Sequence, residues 1–485
     1  MTGTLTERVV DVVVIGGGAT GENVADFAHR RGLEVTLVER ALLGGECSYY
    51  ACMPSKALLR PGRVLAAARD VRGAAPAVGG MPDVAAVLAR RTSFTHHWDD
   101  GAQVRWADGA GLDLVRGTAR LDGERRVVVS GDDGEQVLHA RHAVVLATGS
   151  VPTTPPVEGL PATRHWTTRD ATSAPAVPRR LVVLGAGVAG AELSQAFARL
   201  GAAVSLVARS RVLAGFAPEV GERVARGLAG AGVDVHAGSS AVRAERPEGP
   251  DGPVVLHLEN GTALVGDELL VATGRRPRTR GLGLETVGID QSDGDPLMVD
   301  DSGRVTAVPA GWLYAAGDVT GRAPLTHQGK YAARAVGEVI GARAAGRAAG
   351  EPAPWSAHAA TADHVAVPQV VFTDPEVAHV GLTAAAAREQ GRPVRTVTAD
   401  LADVAGASIL ADDYAGWAQL VVDDARDVIL GATFVGPDVA ELLHAATIAV
   451  VGEVPLERLW HAVPAYPTLS EVWLRLLDDD RERTA

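Results

Sequence analysis

One local pattern, present twice, constrains this chain more than any other feature. Residues 9 to 39 read as strand, glycine turn, helix and strand in VVDVVVIGGGATG, ENVADFAHRRG and LEVTLVER. Residues 179 to 211 repeat that order in RRLVVLGAGVAGAELSQAFARLGAAVSLVARSR. An apolar run that ends in glycines and opens a helix specifies a parallel β-α-β crossover. Gly16, Gly18 and Gly21 fit G-x-G-x-x-G in the first copy, and Gly185, Gly187 and Gly190 fit it in the second. The glycines permit the tight turn, close backbone approach to a pyrophosphate, and packing of helix on strand. The helix N-terminus then faces the phosphates. Two dinucleotides, with electron transfer between them, are the expectation.

The two copies differ where their second strands end. Glu39 closes the first, where a carboxylate binds ribose hydroxyls. The second ends Ala208-Arg209-Ser210-Arg211, with no acid. Arg209 and Arg211 suit a 2′-phosphate, which a guanidinium grips bidentately. NADPH is therefore expected in preference to NADH, although Gly190 keeps a glycine that NADP-binding proteins often replace by alanine. Three further strands end in small-residue turns: HAVVLATGS with Gly149, DELLVATGRRP, and GWLYAAGDVTG, where the Asp318 carboxylate can reach a ligand's sugar or ribityl hydroxyls. From about residue 351 the texture changes to a Pro-containing linker followed by alternating strands such as AQLVVDD and VILGATFVG, an α+β pattern without a glycine fingerprint.

Both cysteines of the 485 residues lie in GGECSYYACMPSK, residues 44 to 56. Regular helix would hold Cα atoms five residues apart at roughly 8–9 Å, whereas a disulfide needs about 4.4–6.8 Å. Cys47 and Cys52 can pair only if SYYA is bent at a helix start. So short a loop adds little chain-entropy stabilisation, so redox chemistry explains the pair better than a structural bridge. Pro54 suits an early helical position, which leaves Cys52 where the helix dipole favours a thiolate. Of 46 basic residues only Lys56 and Lys330 are lysine, so a lysine four residues after Cys52 points to a task arginine cannot perform.

The net charge of −13 argues against nucleic-acid or anionic-membrane binding, and no stretch approaches the ~20 apolar residues of a membrane span. The N-terminus runs straight into a strand without a signal-peptide pattern, so a cytoplasmic protein is expected. No metal site is expected.

Taken together, the fingerprint at 16–21, C-x4-C-x-P-S-K at 47–56, the fingerprint at 185–190 and AAGD at 315–318 resemble the pyridine nucleotide–disulfide oxidoreductases, the flavoproteins that include dihydrolipoyl dehydrogenase, glutathione reductase and mercuric reductase. The resemblance implies an α/β protein with two Rossmann-like domains, for FAD and NAD(P), and a C-terminal α+β dimerisation domain. It divides the chain into 1–150 and 275–350 for FAD, 151–274 for NAD(P) and 351–485 for dimerisation. It implies that Cys52 faces the flavin, that Cys47 is the interchange thiol, and that Lys56 lies near flavin N5 paired with Glu192. It also implies a homodimer whose active site is shared between subunits and serves a small-molecule electron acceptor. In HAVPAYPTLSE, Tyr466 falls where dithiol-exchanging relatives have their histidine, and Glu471 falls where they have the steering glutamate. A phenol with an ordinary pKa of about 10 is a poor base at neutral pH. Mercuric reductase shares that tyrosine, but LLDDDRERTA lacks its C-terminal cysteine pair. The expected activity is electron transfer from NADPH through FAD and the Cys47–Cys52 disulfide to a thiol, disulfide or soft-metal substrate. The alternatives are a quinone or dye reductase with direct flavin transfer, and a flavoprotein component of a multienzyme complex.

Overall fold

The first strand, β1 (Thr6–Ile15), is buried on both faces over its last four residues, Val12 to Ile15, as a central parallel strand must be. Val12 and Val14 pack on one side with Val24, Ala25 and Ala28, while Val13 and Ile15 pack on the other with Val144 and Leu146. Helix α1 (Ala19–His29) follows the glycine turn and buries Gly21, Val24, Ala25 and Ala28, a 3.6-residue stripe. Strand β2 (Val35–Glu39) returns parallel to β1. After it come a short helix α2 (Gly45–Tyr49) and the longer α3 (Cys52–Arg69). The second copy of the pattern forms β3 (Arg180–Leu184), α4 (Val188–Arg199) and β4 (Ala203–Ala208), with β3 and β4 parallel. Each crossover forms where its sequence pattern lies.

The protein is described here from a computed structural model covering residues 6–132, 134–347 and 350–484. The chain divides into two compact units, each discontinuous in sequence. The first holds the described residues up to Met53, with Thr92–Thr153 and Arg275–Asp363; the second holds Pro54–Arg91, Thr154–Gly274 and the residues from His364 onward. In the first unit β1 lies between β2 and Gly134–Leu146, both parallel to it. Asp113–Arg116 extends that sheet beyond β2, and Leu313–Ala315 pairs with Gly134–Leu146. Helix α5 (Thr326–Ala344) packs along α1. A Cβ at Gly337 would lie 2.6 Å from the Cβ of Phe27, and one at Gly341 would lie 2.5 Å from the Arg31 side chain, so glycines let these helices close up.

In the second unit β3 and β4 are joined by Val233–Ala237 and Glu268–Val271 in a parallel sheet. Residues from Gln369 to Gly436 build an antiparallel sheet in the order Gln369–Val371, Glu376–Gly381, Val428–Gly436, Trp417–Asp423, Val394–Ala399. Its core joins Val397, Leu420 and Phe434 to Val472 and Leu476 of the last helix. This is the α/β architecture with a C-terminal α+β region that the sequence implies. No helix among the described residues is long and apolar enough to cross a membrane.

Candidate functional site

The two glycine turns have the geometry of ligand cradles. Gly16 and Gly185 have φ of +106° and +108°, which L side chains avoid. A Cβ on Gly21 would fall on the Gly16 carbonyl oxygen, and one on Gly190 on that of Gly185, so helix–strand packing requires both glycines. The middle glycines are different. A Cβ on Gly18 would meet only the Gly45 Cα at 3.9 Å, and one on Gly187 would meet nothing within 4 Å. The protein's own packing leaves those positions open, with room for a pyrophosphate to approach the backbone.

Around the first cradle Glu39 fastens the loop, its two oxygens accepting the N–H groups of Gly17 and Ala41 at 2.7 Å each. Asp318, in the short helix Gly317–Thr320, accepts a hydrogen bond from the Ser150 hydroxyl at 2.6 Å. Gly149, beside Ser150, has φ +72° and open space where its Cβ would be. Around the second cradle the arginines divide. Arg211 donates to the carbonyls of Ala214 and Phe216 at 2.9 and 2.5 Å, whereas Arg209 is exposed just past β4.

The cysteines are brought together by a helix break. Helix α2 stops at Tyr49, Tyr50 adopts φ −138°, and α3 starts at Cys52. The bend at SYYA brings the two sulfurs to 2.7 Å, with Cys47 donating to Cys52. The Cys52 sulfur, on the first residue of α3, also lies 3.4 Å from the Thr326 hydroxyl of α5. Cys47 is held as a thiol. Its hydrogen bond to Cys52 and its burial push its pKa up, while the Thr326 hydroxyl and the Lys330 ammonium pull it down. Neighbouring Glu46 turns away to Arg275 at 2.5 Å.

Lys56 of α3 reaches Glu192 of α4 at 2.6 Å and lies 4.9 Å from the Phe372 ring centroid. Glu192 is buried, and its other oxygen accepts the Phe372 N–H at 2.9 Å. A buried carboxylate held this way fixes where the ammonium stands. Tyr466 and Glu471 are not joined. Tyr466 is 77% exposed, and Glu471 Oε2 is buried without a hydrogen-bond partner among the described residues.

Residues 10–346 match the model of the family described as pyridine nucleotide-disulphide oxidoreductase. The chain belongs to that family. Residues 367–476 match its dimerisation domain. The protein is an FAD-dependent oxidoreductase, and the first cradle, with Glu39 and Asp318, fits that cofactor. A mercuric reductase of Shigella flexneri is 32% identical over 96% of this chain and 80% of its own length. A dihydrolipoyl dehydrogenase of Haloarcula marismortui is 35% identical over 95% of this chain and 94% of its own. The fold is also that of the HOCl-induced flavoprotein disulfide reductase RclA of Escherichia coli, in its Cu(II) complex, with a TM-score of 0.81, 24% identity, and 97% and 99% of the two chains covered.

Two polar residues of the first unit were not foreseen from the sequence: Thr326, beside Cys52, and Glu22, whose Oε1 is buried. Thr326 carries no signal at all, since its partner Cys52 is 274 residues away. Glu22 carries a faint one, an acid directly after the third fingerprint glycine on a helix whose neighbouring turns are buried.

Proposed function

We propose that this flavoprotein carries electrons from NADPH through FAD to the Cys47–Cys52 pair and on to a small thiol, disulfide or soft-metal acceptor. The approach of the two sulfurs to 2.7 Å across the helix break carries this reading. When bound, FAD would supply two-electron transfer from the nicotinamide to the cysteine pair. On the protein, those two electrons, with the one proton that a hydride carries, open the Cys47–Cys52 disulfide to a Cys52 thiolate, favoured by the α3 N-terminus, and a Cys47 thiol. Once Cys47 releases its proton, its thiolate attacks one sulfur of an acceptor disulfide and expels one thiolate. Cys52 then displaces Cys47 from the acceptor, expelling the second thiolate and restoring the starting bond. Lys56, anchored by Glu192, is the compact cation proposed to serve the flavin.

In this reading residues 1–150 and 275–350 hold FAD, 151–274 hold NADPH and 351–485 dimerise. Tyr466 and Glu471 would then complete the partner's site. A homodimer is expected by light scattering, and a fully active monomer would contradict the assignment. For the nicotinamide cofactor, Arg209, exposed just past β4, is the cation proposed to meet a 2′-phosphate, so kcat/KM should be higher with NADPH than with NADH. Equal or better use of NADH would refute that preference.

The deciding experiment is anaerobic titration with NADPH. A long-wavelength thiolate–flavin absorption after two electrons supports the disulfide route. Direct passage to plain reduced flavin supports the quinone or dye reductase reading instead.

A further inference from the structure

We propose that Trp98 is a positioning residue for the redox pair: its indole N–H holds the helix break that brings Cys47 and Cys52 together. The proposal rests on reading the two cysteines as a redox couple.

The backbone of the first unit is strained just before Asp99. His96, His97 and Trp98 have φ of +49°, +57° and +57°, three left-handed residues in succession with no glycine among them. L residues avoid that region because Cβ crowds a carbonyl oxygen. Every other non-glycine residue of positive φ among the described residues stands singly. Such strain persists only where the surroundings over-determine the conformation. Here the Trp98 N–H donates to the Thr95 carbonyl at 2.8 Å and the Asp99 N–H to that of His96 at 3.0 Å. Asp99 then accepts the Gly101 N–H at 2.8 Å, at the head of helix Gly101–Gly109. Both histidines are exposed, whereas Trp98 is half-buried.

The turn aims Trp98 at α2. Its Nε1–H donates at 3.2 Å to the carbonyl of Tyr49, the last residue of that helix. The last carbonyls of a helix have no partner within it. In an unbroken helix the Tyr49 carbonyl would accept the N–H of Met53, and both cysteines would lie on one regular helix. The indole supplies a donor at that carbonyl while the chain turns at Tyr50 and α3 begins at Cys52. The same segment also grips α2 from its other end, because Asp100 accepts the Leu43 N–H at 2.6 Å. The Tyr49 ring is fully buried, and Gly44 makes room for it, since a Cβ there would lie 3.0 Å from the ring. Cys47 lies between the two grips.

With the break held, the free thiols stand 2.7 Å apart, and closing the bond between them demands little further ordering of the chain. A disulfide has to keep the break whether or not the indole bond is present. The dithiol relaxes when it is absent, and its Cα atoms move toward the roughly 8–9 Å of regular helix. Trp98 therefore favours the oxidised pair.

The test is the equilibrium of the full FAD-containing protein with reduced and oxidised dithiothreitol. The S–S bond passes from protein to reagent, and two electrons and two protons pass from reagent to protein. After an acid quench, free thiols at Cys47 and Cys52 are alkylated and counted by mass spectrometry. Trp98→Phe keeps the aromatic bulk and removes the donor. It should shift the equilibrium toward the dithiol about three- to tenfold, the worth of one hydrogen bond. A residue that served packing alone would leave that constant unmoved. His97→Val, whose β-branched side chain resists left-handed backbone, should shift it in the same direction. An unmoved constant in Trp98→Phe overturns the proposal. If that variant does not fold, an unmoved constant in His97→Val overturns it. A wild type that forms no Cys47–Cys52 disulfide at any dithiothreitol ratio overturns the redox reading, and the proposal with it.

Discussion

Cys52→Ser should abolish disulfide turnover with NADPH, by at least about 10³-fold, while FAD stays bound. A serine hydroxyl at the head of α3 cannot form the bond that stores two electrons, nor can it release the acceptor from Cys47. The cradle proposed for FAD, formed by Gly16, Gly18, Gly21, Glu39 and Asp318, does not include the sulfur. Cys47→Ser should be as inactive but spectrally different, because it leaves Cys52 a thiolate next to the Thr326 hydroxyl. That variant should absorb at long wavelength without any reductant. Retention of disulfide turnover within tenfold in Cys52→Ser would mean that the flavin reduces the acceptor directly.

Tyr466→His should raise turnover of dihydrolipoamide by about 10- to 100-fold over a poor wild type, a partial recovery of the ~10²–10⁴-fold worth of a positioned acid–base. The phenol at 466 is exposed, and Glu471 presents a buried Oε2 with no partner, an acceptor ready to orient an imidazole. The variant should also acquire a pH optimum set by the histidine, whose ordinary pKa is near 6.5. Wild-type rates already within the usual enzymatic range of ~1–10³ per second would sink this account of Tyr466. An unchanged rate in Tyr466→His would move the cause of poor dithiol turnover to the shape of the acceptor pocket.

What the sequence determined by itself is everything that depends on backbone geometry over some thirty residues. The crossovers at 9–39 and 179–211 were legible because strand, turn and helix each impose a local residue pattern, and the glycines at 16, 21, 185 and 190 are the only residues their packing admits. The cysteine bend was legible as a condition, since two sulfurs five residues apart can meet only if the helix breaks, and it breaks at Tyr50. The Lys56–Glu192 pair spans 136 residues and was reached only by family resemblance, because nothing near Lys56 in sequence names its partner. The approach of Thr326 to Cys52, and the one buried oxygen each of Glu22 and Glu471 that lacks a partner among the described residues, were decided by tertiary structure alone. Their chemistry comes from burial and from neighbours hundreds of residues away. A desolvated carboxyl or a hydroxyl beside a cysteine sulfur exists only once the helices carrying them have packed.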